Sequence, residues 1–119
     1  MESKTALEAF SALSQEIRLA VFRHLVRAGP GGAAAGVLAE EFAVAPPTMS
    51  FHLKELANAG LVLSRKQGRS VIYAADYGGV RDLISFMMDE CCQGDPRLCG
   101  PYVVREKFDE ALACSPQGR

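Results

Sequence analysis

A mainly α chain carrying one β-hairpin, an α+β fold, is what this 119-residue sequence predicts. Three observations lead there. Apolar residues recur at three–four spacing through most of the first 92 positions, the mark of amphipathic helices. Two β-branched-rich runs, residues 61–65 and 70–74, flank Lys66-Gln67-Gly68-Arg69, and a glycine-containing turn between such runs reads as a hairpin. Just before the hairpin, Pro46 and Pro47 open and Gly60 closes a segment with one apolar stripe and one polar face. Proline in the first turn and glycine past the end delimit a helix of about four turns.

In chain order, residues 4–13 place Leu7, Phe10 and Leu13 at spacings of three, a short amphipathic helix. Ser14 offers an N-cap for a second helix over 15–27. There Ile17, Ala20, Val21 and Leu25 form a stripe that Leu19, Phe22 and Val26 widen, leaving Arg18, Arg23 and Arg27 for the remainder. His24 lies near that stripe and reads as a core or interface histidine before it reads as a ligand. Gly29-Pro30-Gly31-Gly32 stops the helix. A third helix spans 33–42 on Val37, Leu38 and Phe42, weakened by Gly36, and a short turn over 43–45 leads into the fourth. After the hairpin, Asp76 caps a helix over 78–92 whose Val80, Leu83, Ile84, Met87, Met88 and Cys91 make a wide stripe. Gly94-Asp95-Pro96 breaks it, residues 103–113 allow a short last helix, and 115–119 fray.

Length fits one domain with a small core, for which dimerisation is a source of further burial. No apolar run reaches the length of a membrane span and the N-terminus lacks a basic-then-apolar signal, so a soluble cytoplasmic protein is expected. Net charge is −1, but it is unevenly divided. Residues 1–45 carry four cations and five anions, and residues 76–119 carry five and eight. Residues 46–75 carry Lys54, Arg65, Lys66 and Arg69 against Glu55 alone, a net +3. The positive charge therefore sits on the fourth helix and the hairpin, where it suits a polyanion.

That fourth helix carries Met49, Leu53 and Leu56 on its stripe, Phe51 partly to the side, and Thr48, Ser50, His52 and Lys54 opposite. A helix, a three- or four-residue turn and a helix with a polar face form a helix-turn-helix, whose second helix enters the DNA major groove. A basic hairpin directly after it suits a wing lying on phosphates. An amphipathic helix with a solvated face and a solvated hairpin tip would explain each part separately. The combination is more specific, and a winged helix-turn-helix is expected. Thr48, Met49, Ser50, His52 and Lys54 are the candidate groove residues, and Arg65, Lys66 and Arg69 the candidate phosphate contacts. The helix over 78–92 is too apolar for a module that already has a core. Val80, Leu83, Ile84 and Met87, with Leu7 and Phe10, are therefore expected between two subunits.

The order of elements and four strings resemble the ArsR–SmtB family of metal-responsive repressors over roughly residues 5–93. The strings are Leu13-Ser14-Gln15-Glu16-Ile17-Arg18-Leu19, Pro47-Thr48-Met49-Ser50-Phe51-His52-Leu53-Lys54-Glu55-Leu56, Ala59-Gly60-Leu61-Val62 and Gln67-Gly68-Arg69-Ser70-Val71-Ile72-Tyr73. The resemblance implies a homodimer that holds operator DNA and releases it when a metal or metalloid binds. It divides the chain into a DNA-binding and dimerisation domain, 1–93, and a C-terminal extension, 94–119, that completes a cysteine site. One arsenic-sensing type of the family carries Cys-x-Cys before the recognition helix, where this chain has no cysteine. Zinc sensors of the family use histidines on the last helix, where this chain has Asp82, Asp89 and Glu90 but no histidine. A third type has a vicinal cysteine pair ending the last helix and another cysteine a few residues on, which Cys91, Cys92 and Cys99 match.

All four cysteines, Cys91, Cys92, Cys99 and Cys114, fall in the last quarter of the chain. Cys91 alone could be a small buried hydrophobe, but Cys92 and Cys99 beside a loop do not fit that reading. Adjacent cysteines bridge each other poorly, so three thiols around one soft ion is the better account. A helix C-terminus with Asp89, Glu90 and Asp95 nearby disfavours thiolates. Neutral As(OH)₃ exchanges three hydroxyls for three thiols with no change of charge, whereas zinc on three thiolates is anionic and wants a fourth ligand. As(III) is therefore the expected inducer, with Sb(III) its chemical equivalent. Zinc or cadmium sensing and a Cys92–Cys99 redox switch are the alternatives on the same fold. Cys91 to Arg97 also satisfies the cysteine, five residues, arginine pattern of phosphatases and some arsenate reductases. That chemistry needs a thiolate at a helix N-terminus, and here the cysteines end a helix and Pro96 removes a donor. No catalysis is expected.

Overall fold

The computed structural model describes residues 1–89, which form five helices and a three-stranded sheet. Helix α1 (Ser3–Leu13) buries Ala6, Ala9 and Ala12 and leaves Leu7 and Phe10 outside. The stripe expected on Leu7, Phe10 and Leu13 is thus rotated, with only Leu13 turned partly inward. Alanines at i, i+3 and i+6 let α1 lie close to its neighbours, and the larger side chains face away. Helix α2 (Glu16–Ala28) begins one residue later than a Ser14 cap requires. Gln15 is its N-cap, its side chain accepting from the Arg18 backbone N–H at 2.8 Å, while the Ser14 hydroxyl donates to the Ser11 carbonyl at the end of α1. His24 packs edge-on against Phe42 with ring centres 5.6 Å apart, a structural role as expected.

The third helix is shorter than the sequence suggests. Ala33–Ala34 forms a two-residue strand, β1, and α3 covers Ala35–Glu41. Two alanines give no alternation to read, so this strand was invisible to pattern analysis. It exists because Gly32, at φ 66°, brings the chain against the Tyr73 carbonyl, where a side chain would collide. Helix α4 (Pro46–Asn58) starts with prolines in its first turn, and Gly60 follows it at φ 79°. The hairpin strands β2 (Val62–Gln67) and β3 (Ser70–Ala75) are each longer than expected. They turn through Gly68 and Arg69, with Gly68 at φ 64° supplying the left-handed conformation that a two-residue hairpin turn requires. The sheet order is β1-β3-β2, antiparallel throughout. Helix α5 (Tyr77–Met88) is capped as expected by Asp76, whose carboxylate accepts from the Gly79 N–H at 3.1 Å.

Val21 and Leu25 of α2, Leu38 of α3, Met49, Leu53 and Leu56 of α4, and Leu61 and Val62 form the fully buried centre. Leu83 joins this same core, 7% exposed, and is therefore withdrawn from the residues expected at a subunit interface. Its helix points it at the module rather than away from it. Val80 and Ile84 are half-buried, and Met87 is exposed. None of the described helices is long and apolar enough to cross a membrane.

Candidate nucleic-acid interface

Helices α3 and α4 meet through a tight turn. The Val44 N–H donates to Ala39 and the Ala43 N–H to Glu40, and Ala43 adopts φ 53°, a left-handed conformation uncommon for alanine. The turn sets α4 across α3 and fixes which side of α4 is inner. Met49, His52, Leu53 and Leu56, spaced i, i+3, i+4 and i+7, are that inner side. Pro47, Phe51, Lys54 and Asn58 recur at i, i+4, i+7 and i+11 on the outer side, with Thr48 exposed and Ser50 half-buried at its margins.

Two expected groove residues are corrected by this placement. Met49 is fully buried and forms part of the core. His52 is 8% exposed and faces α2, where its Nδ1 lies 3.3 Å from an Arg18 guanidinium nitrogen. Arginine has no acceptor, so Nδ1 accepts and the ring proton sits on Nε2. The same guanidinium donates through Nε to the Ala12 carbonyl at 2.7 Å, tying the end of α1, α2 and α4 together. Burial, and then the Arg18 charge, push the His52 pKa below its ordinary value. Phe51, expected partly to the side, is instead 56% exposed on the outer stripe. A helical wheel centred on the buried set shows this once His52 is counted among the inner residues.

Arg65, Lys66 and Arg69 are all exposed on the hairpin. Arg65 and Lys66 are adjacent on β2 and so point to opposite faces, and Arg69 sits in the turn. One Arg65 guanidinium nitrogen donates to the Gly31 carbonyl at 3.2 Å, which directs the side chain toward the loop after α2 and leaves its other donors open. At the other end of the sheet, the Asp76 N–H donates to Leu61 and the Tyr77 hydroxyl to the Val26 carbonyl. These bonds tie the end of β3 to the residue after Gly60 and tie α5 to α2. The expected cysteine site at Cys91, Cys92 and Cys99 lies outside the described residues, as does Cys114.

A family model described as a helix-turn-helix domain matches residues 13–65. The transcriptional repressor SdpR of Bacillus subtilis (strain 168) is 29% identical over 68 residues, 57% of this chain and 76% of SdpR. An ArsR-like transcriptional regulator from Rhodococcus sp. RHA1 superposes with a TM-score of 0.63 at 25% identity, covering 96% of this chain and 92% of that one. The homodimeric winged helix-turn-helix DNA-binding domain of Mb0332 from Mycobacterium bovis superposes with a TM-score of 0.60 at 23% identity, over 75% and 82% of the two chains. This chain carries a helix-turn-helix domain and has the winged fold of the ArsR-family transcriptional regulators.

Proposed function

We propose that this chain is a transcriptional repressor that binds operator DNA as a homodimer and releases it when As(III) binds Cys91, Cys92 and Cys99. One observation carries the DNA part of the reading. The outward stripe of α4 and the three hairpin cations form the net-positive segment of an otherwise acidic chain, on a helix and a wing that pack against each other. Thr48, Ser50, Phe51 and Lys54 are the groove face, and Arg65, Lys66 and Arg69 lie on phosphates. A dimer spaces two such faces by about one helical turn, roughly 34 Å, on an inverted repeat. The similarity to SdpR supports repression as the outcome of binding.

The inducer rests on the chemistry of the sequence. As(OH)₃ and three thiols give a neutral tris-thiolate and three waters, which suits a site flanked by Asp89, Glu90 and Asp95. Sb(III) reacts in the same way. Fluorescence anisotropy of labelled operator under reductant tests both parts. Wild type and Cys114→Ser release DNA on adding arsenite. Cys91→Ser, Cys92→Ser and Cys99→Ser each bind DNA normally and stay bound. Release of Cys99→Ser at the wild-type arsenite concentration would reject the three-thiol site, and release by peroxide alone would replace it with a redox switch.

A further inference from the structure

We infer that Phe51 is a sequence-reading residue that contacts a thymine methyl group in each operator half-site. This rests on the DNA-binding reading above and assigns a base to one of its side chains. Phe51 stands on the outer stripe of α4 between Pro47 and Lys54, 56% exposed, with its ring 5.9 Å from the His52 ring and no aromatic partner facing it from outside among the described residues. An exposed hydrophobe is ordinary by itself, but this ring stands on the helix face proposed to enter DNA, where covering it would recover part of its burial free energy.

The surroundings choose the occupant. Lys54 lies one turn from Phe51 on the same stripe, and Arg65, Lys66 and Arg69 extend the positive charge along the hairpin. An apolar protein surface would leave these cations facing nothing, whereas duplex DNA pairs them with phosphates. A whole α-helix fits the major groove and not the minor groove. Within the major groove the one apolar feature on base edges is the C5-methyl of thymine, which phenylalanine contacts well. With His52 turned into the core, Phe51 is also the largest side chain α4 can offer to a base.

The test compares thymine with uracil, which differ only by that methyl group. Preferred duplexes are first selected from a random pool with the full-length protein under reductant. Each thymine is then replaced by uracil, one position and its symmetry mate at a time. Wild type is expected to lose about fourfold in affinity for one methyl and on the order of fifteenfold for the symmetric pair, at a single position of each half-site. Phe51→Ala should bind thymine and uracil duplexes equally, with an unchanged thermal midpoint, and Phe51→Leu should retain part of the discrimination. If Phe51→Ala discriminates as wild type does, the contact is wrong while DNA binding stands. If the protein selects no duplex at all, the DNA reading fails and the contact falls with it.

Discussion

His52 lies on the helix proposed to read DNA, yet its work is internal. Its Nδ1 takes a hydrogen bond from Arg18, whose Nε holds the last carbonyls of α1 through Ala12. Burial, and then the Arg18 charge, keep its pKa below 6.5. A histidine whose folded pKa is depressed favours the fold while neutral. Its contribution is complete above about 6.5, the unfolded value, and is lost as pH falls from there through the lower native value. Urea midpoints of the wild type should therefore decline as pH is lowered from 7 toward 5. His52→Asn, which keeps an acceptor near the Nδ1 position and cannot titrate, should flatten that decline, and an unchanged slope would remove His52 from the cause. Arg18→Ala should cost about 1–3 kcal/mol at neutral pH, because two part-buried acceptors lose their donor. Arg69 acts differently, being exposed on the hairpin turn. Arg69→Ala should weaken binding to operator and random DNA alike and lower the salt slope by about one unit. Ser50→Ala, at the margin of the groove face, should cost more on operator than on random DNA. Equal losses on both duplexes for the two variants would reject this division of roles.

Two glycines separate backbone necessity from mere tolerance at the level of elements. Gly32 combines φ 66° with a Cα set against the Tyr73 carbonyl, so Gly32→Ala should detach β1 and cost more than about 1 kcal/mol. Gly36 lies in the first turn of α3 with open space around it, so Gly36→Ala should stabilise by up to about 1 kcal/mol. Differential scanning calorimetry should move the two midpoints in opposite directions by several degrees, and a shared direction would contradict the role given to Gly32. The same elements show what the amino-acid sequence makes legible. Strong periodicity in α2, α4 and α5, the Asp76 cap and the glycine turn of the hairpin were all legible, because each is specified by residues close in sequence. The β1 strand was not, since two alanines become a strand only by pairing with Ile72 and Tyr73 some forty residues away. The α1 stripe differs because small alanines carry little signal beside Leu7 and Phe10 yet permit the closest packing. A histidine reads as polar and outward, and only the distant Arg18 supplies the partner that lets His52 turn inward. The groove face was legible in its helix and its cations, and the identity of its central aromatic depended on that one rotation.

On the scale of the whole molecule, exposed apolar side chains also occur on α2, α3, α4 and β2, but three of them fall on two helices that touch each other, α1 and α5. Leu7 is 66% exposed, Phe10 38% and Met87 52%, on α1 and α5, while Val80 and Ile84 of α5 are half-buried. The core that binds α4 to the rest is complete without them, so their exposure is not a failure of packing within one subunit. In the proposed homodimer, a two-fold contact through this face would repeat the same apolar set on both partners and fix the distance between the two α4 helices. An operator with fixed half-site spacing would then read dimer geometry, and anything that repositions the end of α5 would change affinity at both half-sites together. If As(III) is the inducer as proposed, coupling is reciprocal, and DNA should weaken As(III) binding by the same factor as As(III) weakens DNA binding, typically 1–3 kcal/mol. The interface itself is tested best at Leu7, whose side chain already stands in solvent in the single subunit. Leu7→Glu should leave the subunit's circular dichroism and core stability intact, because little of Leu7 is buried there. In a dimer the same charge is buried without a partner, at a cost of several kcal/mol. Ile84→Glu should act the same way with some added loss of subunit stability. Sedimentation velocity at micromolar concentration should show both variants as monomers, with operator affinity falling toward that of a single half-site. A Leu7→Glu protein that sediments as a dimer and binds the full operator as wild type does would place the subunit contact elsewhere.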